Sequence, residues 1–166
     1  MLIRLSKIIV ISASAIFLLL VSFNNVTDYD SNYHFVQHVL SMDTSFPGNT
    51  LMWRAITSST AHKVFYAGII CWEALCGGLI AFGTFRLFAV RSASAAVWEK
   101  TKGIAALGLT LSLFQWYFGF LTVGAEWFLM WQSKTWNGQD AAFRMFAIMG
   151  ISLVYLVLKD DEITKA

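Results

Sequence analysis

The chain is poor in charge for its length. Only 13% of its 166 residues are charged, whereas about a quarter are charged in a typical soluble domain. A water-soluble domain is therefore excluded as the fold class. The net charge of +2 is also too small to indicate a nucleic-acid partner.

Cysteine and recognisable catalytic motifs are scarce as well. The two cysteines, Cys71 and Cys76, both lie inside one apolar run. We therefore expect neither a disulfide framework nor a thiol-redox centre, and interpret both as buried thiols. The chain shows no Ser-His-Asp order, phosphate-binding glycine loop or paired carboxylates. We accordingly predict no catalytic residue, no cofactor and no dedicated metal site.

Long apolar runs dominate what is present. They cover residues 5–23, 64–87, 104–125 and 141–158, and 57% of the chain is hydrophobic. Each run is near the length of about 20 residues that a helix needs to cross a bilayer. The sequence predicts an all-α integral membrane protein. We expect one membrane domain over residues 1–166, built as a bundle of four transmembrane helices. The first run lacks a small-x-small cleavage site, so we interpret it as an uncleaved span.

The 24–63 segment between the first two runs has helical patterning of its own. Its central apolar residues recur at helical spacing: Phe35, Val36, Val39, Leu40 and Met42. Residues 46–49 (FPGN) indicate a tight turn. A second amphipathic stretch follows over residues 51–56. We expect two short helices that lie on the membrane face or cap the bundle.

The distribution of basic residues predicts the orientation. Eight lie on the side of the two termini: Arg4, Lys7, Arg86, Arg91, Lys100, Lys102, Lys159 and Lys165. Four lie on the other side: Arg54, Lys63, Lys134 and Arg144. The positive-inside rule then places both termini in the cytoplasm and the 24–63 segment outside. We expect the charged tail 159–166 to be mobile.

Glu73 lies near the middle of the second run, where a charge costs at least about 2.5–3.5 kcal/mol. It should face the bundle interior and have a partner. Gln115 in the third run and Arg144 in the fourth are the candidates, so we predict an intramembrane polar cluster of Glu73, Gln115 and Arg144. Such a cluster is a structural clamp, or it holds a Glu73 that stays neutral through burial, or it is a proton or cation relay with Glu73 as the carrier.

A second group of candidates lies in the 24–63 segment. Asp30, His34 and His38 fall at i, i+4 and i+8 of the expected helix. Histidines four apart can share a metal ion, but the chain has no HExxH motif and no cysteine ligand outside the spans. A polar helix face turned to water explains the same pattern. The candidate ligand- or partner-binding face comprises Asp30, His34, His38, Asp43, Trp53 and Arg54.

Several stretches resemble a known family. They are residues 25–29 (NVTDY), 32–33 (NY), 35–44 (FVQHVLSMDT), 46–49 (FPGN) and 52–56 (MWRAI). Together with the four-span layout, they resemble the bacterial predicted small integral membrane protein family, domain-of-unknown-function family 2165. The resemblance covers nearly the whole chain. It implies a bacterial inner-membrane protein without an established activity, and it supplies no catalytic residues.

The sequence therefore favours a non-enzymatic membrane protein that binds a partner or serves as an accessory subunit. Besides the lipid bilayer, the expected partners are a larger membrane complex or further copies of the chain. One alternative is a small proton- or ion-coupled transporter centred on Glu73. Another is a membrane redox or metal-binding accessory protein that uses His34 and His38.

Overall fold

The structure is a computed structural model that describes residues 1–162 and shows only helices, turns and irregular segments there. Within this part, four helical stretches are long and apolar enough to cross a membrane: Leu2–Thr27, Ser59–Ala89, Ala95–Trp127 and Gln139–Val157. The predicted all-α, four-span architecture is confirmed. Lys165, which contributed to the predicted orientation, lies outside the described residues.

The helices are α1 (Leu2–Thr27), α2 (Tyr29–Ser41), α3 (Ser59–Ala89), α4 (Ala95–Thr101), α5 (Gly103–Phe114) and α6 (Gln139–Val157). A π-helical segment, Gln115–Trp127, continues α5, and 3₁₀ turns lie at Met52–Arg54 and Met130–Gln132.

Several spans are longer than the apolar runs that predict them. The 31 residues of α3 extend over about 46 Å, more than the roughly 30 Å of hydrocarbon. Helix α3 starts early because the Ser58 hydroxyl accepts a hydrogen bond from the Ala61 amide at 3.4 Å.

The spans pack in a ring. Helix α1 packs along α3, α3 along α5, α5 and the π-helical segment along α6, and α6 against α1. Small residues allow the close approaches, as predicted for membrane helices. A Cβ atom on Gly83 would lie 2.5 Å from the Ala105 backbone nitrogen, and one on Gly108 would lie 2.7 Å from Ile80.

One end of the bundle, which we call the tail end, carries the N-terminus, α4 and residues 158–162. The bundle half that adjoins it has a dense apolar core. Its buried members include Ile11, Leu18, Cys76, Ile80, Ala105, Leu109, Met149 and Leu156. Cys76 packs there as expected, whereas Cys71 is exposed on the helix surface.

The opposite end, the cap end, is covered by the 24–63 segment. Apolar residues of α2 pack against α3 and the π-helical segment in a second core with Val36, Val39, Leu40, Tyr66, Ala125 and Met130. The predicted turn is present, with the Asn49 amide donating to the Phe46 carbonyl at 3.2 Å and Gly48 at φ +77°. The expected second helix is only the 3₁₀ turn Met52–Arg54, because the chain then becomes extended at Ala55.

The cap is tied to the rest of the molecule by hydrogen bonds. The Ile56 amide donates to the Leu40 carbonyl at 2.8 Å. The Thr44 hydroxyl donates to the Ser133 hydroxyl at 2.8 Å, and the Phe46 amide donates to the Gln132 side chain at 3.0 Å. These bonds fix residues 44–56 in place over the cap end.

Candidate functional site

Glu73 lies inside the bundle, where three helical elements meet. Its side chain is almost completely buried, and the residue is 1% exposed. The Asn25 amide nitrogen on α1 donates to Glu73 Oε2 at 2.8 Å. The Gln115 amide nitrogen, at the start of the π-helical segment, donates to Glu73 Oε1 at 3.0 Å. Each carboxylate oxygen therefore accepts one hydrogen bond from a neutral amide.

Arg144 is not a partner of Glu73, so the predicted pairing is wrong. Arg144 is exposed on α6, and its Nε donates to the Asp140 carbonyl one turn earlier at 3.2 Å. It lies close enough to a helix end for its long side chain to turn outward, away from the bundle interior. The structure thus brings Glu73 and Gln115 together and leaves Arg144 outside. Within residues 1–162, no lysine, arginine or histidine forms an ion pair with Glu73.

Asn25 is the partner that the sequence reasoning missed. Its Oδ1 accepts a hydrogen bond from Asn32 on α2 at 2.7 Å, and its backbone carbonyl accepts one from the Tyr66 hydroxyl at 3.2 Å. A chain of amides therefore runs from α2 to Glu73. The signal in the sequence was the pair Asn24–Asn25 at the end of an apolar run, of which only Asn25 is buried.

A cavity of about 270 Å³ connects this site with the cap end. The exposed residues Asn32 and Ala141 line it at one end, and the buried Glu73 lines it at the other. Much of its wall is aromatic, with the side chains of Phe35, Tyr66, Trp116 and Phe120. The carboxylate is thus buried from the lipid but lies beside an open space.

Two side chains at this site have unused hydrogen-bonding atoms: Gln115, which contacts Glu73, and Trp116, which lines the same cavity. Trp116 Nε1 and Gln115 Oε1 are buried and have no hydrogen-bond partner in the described structure. Buried polar atoms are paired in the great majority of cases. The indole N–H can donate to an oxygen in the cavity that Trp116 lines, and the Gln115 oxygen can accept from a donor.

The π-helical segment begins at this site with Gln115 and runs to Trp127. Its backbone spirals more broadly than an α-helix, so that the Phe128 amide at its end donates to Val123, five residues back, at 3.0 Å. A second cavity of about 260 Å³ lies along the segment, and its apolar walls include Phe35, Ile69 and Phe120, which also line the first cavity. The half-exposed residues Phe65 and Phe118 line this second cavity too. Departures from α-helical geometry of this kind occur frequently at functional sites.

The predicted face of the 24–63 segment divides into two parts. On α2, His38 Nδ1 lies 2.8 Å from Asp43 Oδ2, and its ring stacks on Trp136 with centroids 4.6 Å apart. His34 contacts Gln37 at 3.3 Å, and Asp30 is exposed. Residues 1–162 contain no group of three or more histidine, cysteine or acidic side chains placed to hold a metal ion. The structure therefore does not gather Asp30, His34 and His38 into one ligand set.

Trp53 and Arg54 form the second part, together with Trp127 from the π-helical segment. The indole rings of Trp53 and Trp127 meet edge to face with centroids 5.8 Å apart. The Arg54 guanidinium lies 4.6 Å from the Trp127 ring centroid and 5.3 Å from that of Trp53. Despite these contacts Trp53 remains 70% exposed. We refer to these three residues as the Trp–Arg–Trp cluster.

A buried ionic network at the tail end was not anticipated. Asp160 Oδ2 accepts hydrogen bonds from Lys7 at 2.6 Å, Lys102 at 2.7 Å and the Trp98 indole at 2.9 Å. Burial opposes ionisation of Asp160, but these three hydrogen bonds outweigh it and lower the pKa of Asp160 to about 2. The start of the tail, which we expected to be mobile, is therefore docked over residues 159–162.

Comparison with known proteins gives one match. A family model described as predicted small integral membrane protein (DUF2165) matches residues 3–159. No curated protein and no solved structure matches the chain.

Proposed function

The chain belongs to the predicted small integral membrane protein family DUF2165, a family of unknown function, and we propose that it is a non-enzymatic accessory protein that binds a protein partner at its cap end. It is a multi-pass membrane protein with four apolar spans. The observation that carries the proposal is the Trp–Arg–Trp cluster.

The cluster has the composition and rigidity of a binding hot spot. Tryptophan and arginine are the residue types most enriched where protein interfaces gain most of their binding energy. Trp53 is held in one orientation by Trp127 and Arg54, so binding would cost little additional side-chain entropy. Its exposure leaves most of the indole surface for a partner. Arg54 Nη1 also donates to the Trp127 carbonyl at 3.3 Å, which fixes the cluster to the bundle.

We further propose that the tail end faces the cytoplasm and that the membrane is the bacterial inner membrane. The eight-to-four distribution of lysine and arginine supports this orientation. A reporter fused after Lys165 should be active only as a cytoplasmic reporter, and one inserted at Gly48 only as a periplasmic reporter. The opposite pattern would reverse the proposed orientation and place the Trp–Arg–Trp cluster in the cytoplasm.

Site-specific photo-crosslinking in intact cells tests the partner proposal. A photoreactive phenylalanine analogue replaces Trp53, and matched controls carry it at Phe85 or Ile151, which are equally exposed but lie on membrane spans. We expect a discrete crosslinked species of defined mass from position 53 and none at that mass from positions 85 and 151. Arg54→Ala should weaken the crosslink from position 53. Equal crosslinking from all three positions, or none from position 53, would contradict the proposal.

A second candidate function is proton or ion movement through Glu73. The observation that favours it is a buried carboxylate that has no ion-pair partner in residues 1–162 and lies beside a cavity. On this hypothesis, Glu73→Gln would leave the fold intact and abolish a pH-driven flux in liposomes. The dense apolar core between Glu73 and the tail end disfavours a continuous path across the membrane. An equal flux in the wild type and in the Gln variant would remove this candidate.

A further inference from the structure

We infer that the cavity between Asn32 and Glu73 is a binding site for a small ammonium group, with Glu73 as its anionic anchor. The inference goes beyond the proposed partner role and does not depend on the Trp–Arg–Trp cluster. It rests on three properties of the cavity: the charge of its buried end, the chemistry of its walls and its size.

A carboxylate buried in a membrane protein is costly unless it has a partner, and Glu73 has two amide donors but no cation among the described residues. Neutral amides satisfy one lone pair on each oxygen, but they would leave the charge of an ionised Glu73 uncompensated. The tail end shows how the same chain treats a comparable carboxylate, since Asp160 has two lysines. A cationic ligand would supply at Glu73 the charge that the protein itself supplies at Asp160.

The walls select the kind of cation. Tyr66, Trp116 and Phe120 present aromatic surface around the cavity, and aromatic faces attract organic ammonium groups. Hard metal ions instead require about six or more oxygen ligands, and no group of three acidic or histidine side chains is present in residues 1–162. An ammonium group fits one carboxylate and aromatic walls far better than a metal ion does.

The unpartnered Trp116 indole N–H indicates a second feature of the ligand, an oxygen that accepts a hydrogen bond. Its N–H can donate to an oxygen of a ligand whose ammonium group lies at Glu73. The volume of about 270 Å³ is just below the range of roughly 300–1,000 Å³ for drug-sized ligands. An amino-alcohol group such as ethanolamine combines the cation, the oxygen and the small size. It can come from free ethanolamine or from an aminophospholipid whose acyl chains lie in the neighbouring apolar cavity.

Binding to the full-length protein in nonionic detergent tests the inference. Native mass spectrometry measures retention of phosphatidylethanolamine against phosphatidylglycerol, which has no ammonium group, and calorimetry measures binding of free ethanolamine. The variants are Glu73→Gln and, as a matched control, Glu126→Gln, which alters an exposed carboxylate at the same end. In the wild type and in the control, we expect one of two results: at least tenfold greater retention of phosphatidylethanolamine than of phosphatidylglycerol, or binding of free ethanolamine that is at least tenfold tighter than in Glu73→Gln. In Glu73→Gln, the difference between the lipids or the binding of ethanolamine should be lost.

Each outcome either supports or overturns the proposed ammonium site. Retention of phosphatidylethanolamine alone identifies a lipid headgroup as the source, and binding of ethanolamine alone identifies a soluble amine. Equal retention of both lipids without ethanolamine binding, or unchanged amine binding in Glu73→Gln, would overturn the inference. If Glu73→Gln does not fold, the test uses Ala141→Phe instead. The larger side chain at position 141, in the cavity wall, is expected to narrow the cavity and leaves the Glu73 carboxylate unchanged. Undiminished amine binding in Ala141→Phe would also overturn the inference. Crosslinking from position 53 reads out the partner proposal separately.

Discussion

The cap end and the tail end bury polar groups in opposite ways. At the tail end, Lys7 and Lys102 both pair with Asp160, and Lys102 also pairs with Glu99. At the cap end, Glu73 has no counter-charge among residues 1–162, and Gln115 and Trp116 retain unused polar atoms. Within residues 1–162, six buried side-chain atoms have no hydrogen-bond partner; five belong to Asn49, Arg54, His62, Gln115 and Trp116 in the cap-end half, and the sixth is Ser112 Oγ on α5.

The difference indicates that the two ends of the bundle have different roles. Complete pairing and dense packing stabilise the tail end and close it. Unused polar atoms beside cavities cost stability unless something binds them, which is the expected property of a recognition site. Substitutions at the two ends test this difference.

Asp160→Asn should be the most destabilising of these substitutions. It leaves Lys7 buried without an anion, while Lys102 keeps its ion pair with Glu99 at 2.8 Å, and breaking a buried ion pair costs about 3–5 kcal/mol. Thermal unfolding in detergent measures the loss. Asp161→Asn is the matched control, since Asp161 is exposed and contributes only its backbone carbonyl to Arg4. Equal melting temperatures for Asp160→Asn and the wild type would refute the ionic network.

The same network predicts a pH dependence with a definite sign. The pKa of Asp160 lies at about 2 in the folded protein, below its ordinary value of 3.8. The stabilisation is therefore fully present above about pH 4 and is lost as the pH falls towards 2. Melting curves of the wild type should shift down over this window, and those of Asp160→Asn should shift less. Parallel curves would show that Asp160 does not carry the effect.

Gly83→Ala should destabilise the tail-end half by about 1–3 kcal/mol. The added methyl group would lie 2.5 Å from the Ala105 backbone, which forces α3 and α5 apart. Gly78→Ala is the control, because its methyl group meets nothing within 4 Å. Chemical unfolding of both variants compares the two positions, and similar losses would contradict the close helix approach.

At the cap end, Asn25→Ala should cost about 2 kcal/mol by removing a hydrogen bond to a buried carboxylate. Glu73→Gln in the same chain should recover part of this loss, because a neutral side chain needs less compensation. A double-mutant cycle on unfolding free energies measures the coupling. Strictly additive losses would show that Asn25 does not stabilise the carboxylate.

Arg144→Ala should change stability by less than about 0.5 kcal/mol, since the side chain is exposed. The result separates the observed arrangement from the pairing that the sequence suggested. A loss comparable to that of Asn25→Ala would restore Arg144 as a partner of Glu73.

The parts of this structure that the sequence predicts are those set by local composition. Apolar runs identify the spans, and a lone carboxylate within a run identifies Glu73, because both signals depend on the cost of polar groups in hydrocarbon. Gln115 was found for the same reason. The direction in which Arg144 points depends on the rotation of α6 about its axis, which is set by packing. Hydropathy alone does not fix this rotation.

Two missed residues show a second limit. Asn25 has the pattern of a residue that ends a span, and Asp160 has the pattern of a solvated tail. Both acquire their roles from partners distant in sequence, Glu73 at 48 positions and Lys7 at 153. Spacing along one helix carries no information about such contacts.

The most direct test of the cap-end site compares two alanines that are both 0% exposed, Ala142 in the cavity wall and Ala105 in the tail-end core. Each is replaced by cysteine in a chain lacking Cys71 and Cys76. Labelling is timed with a trimethylammonium-ethyl thiosulfonate and with its anionic sulfonato-ethyl counterpart. At position 142, we predict rapid labelling by the cationic reagent and slower labelling by the anionic one. This preference for the cationic reagent should be lost in Glu73→Gln. The cysteine at position 105 should be protected from both reagents. Equal protection at both positions, or no preference for the cation at position 142, would contradict a cation-binding cavity at the cap end.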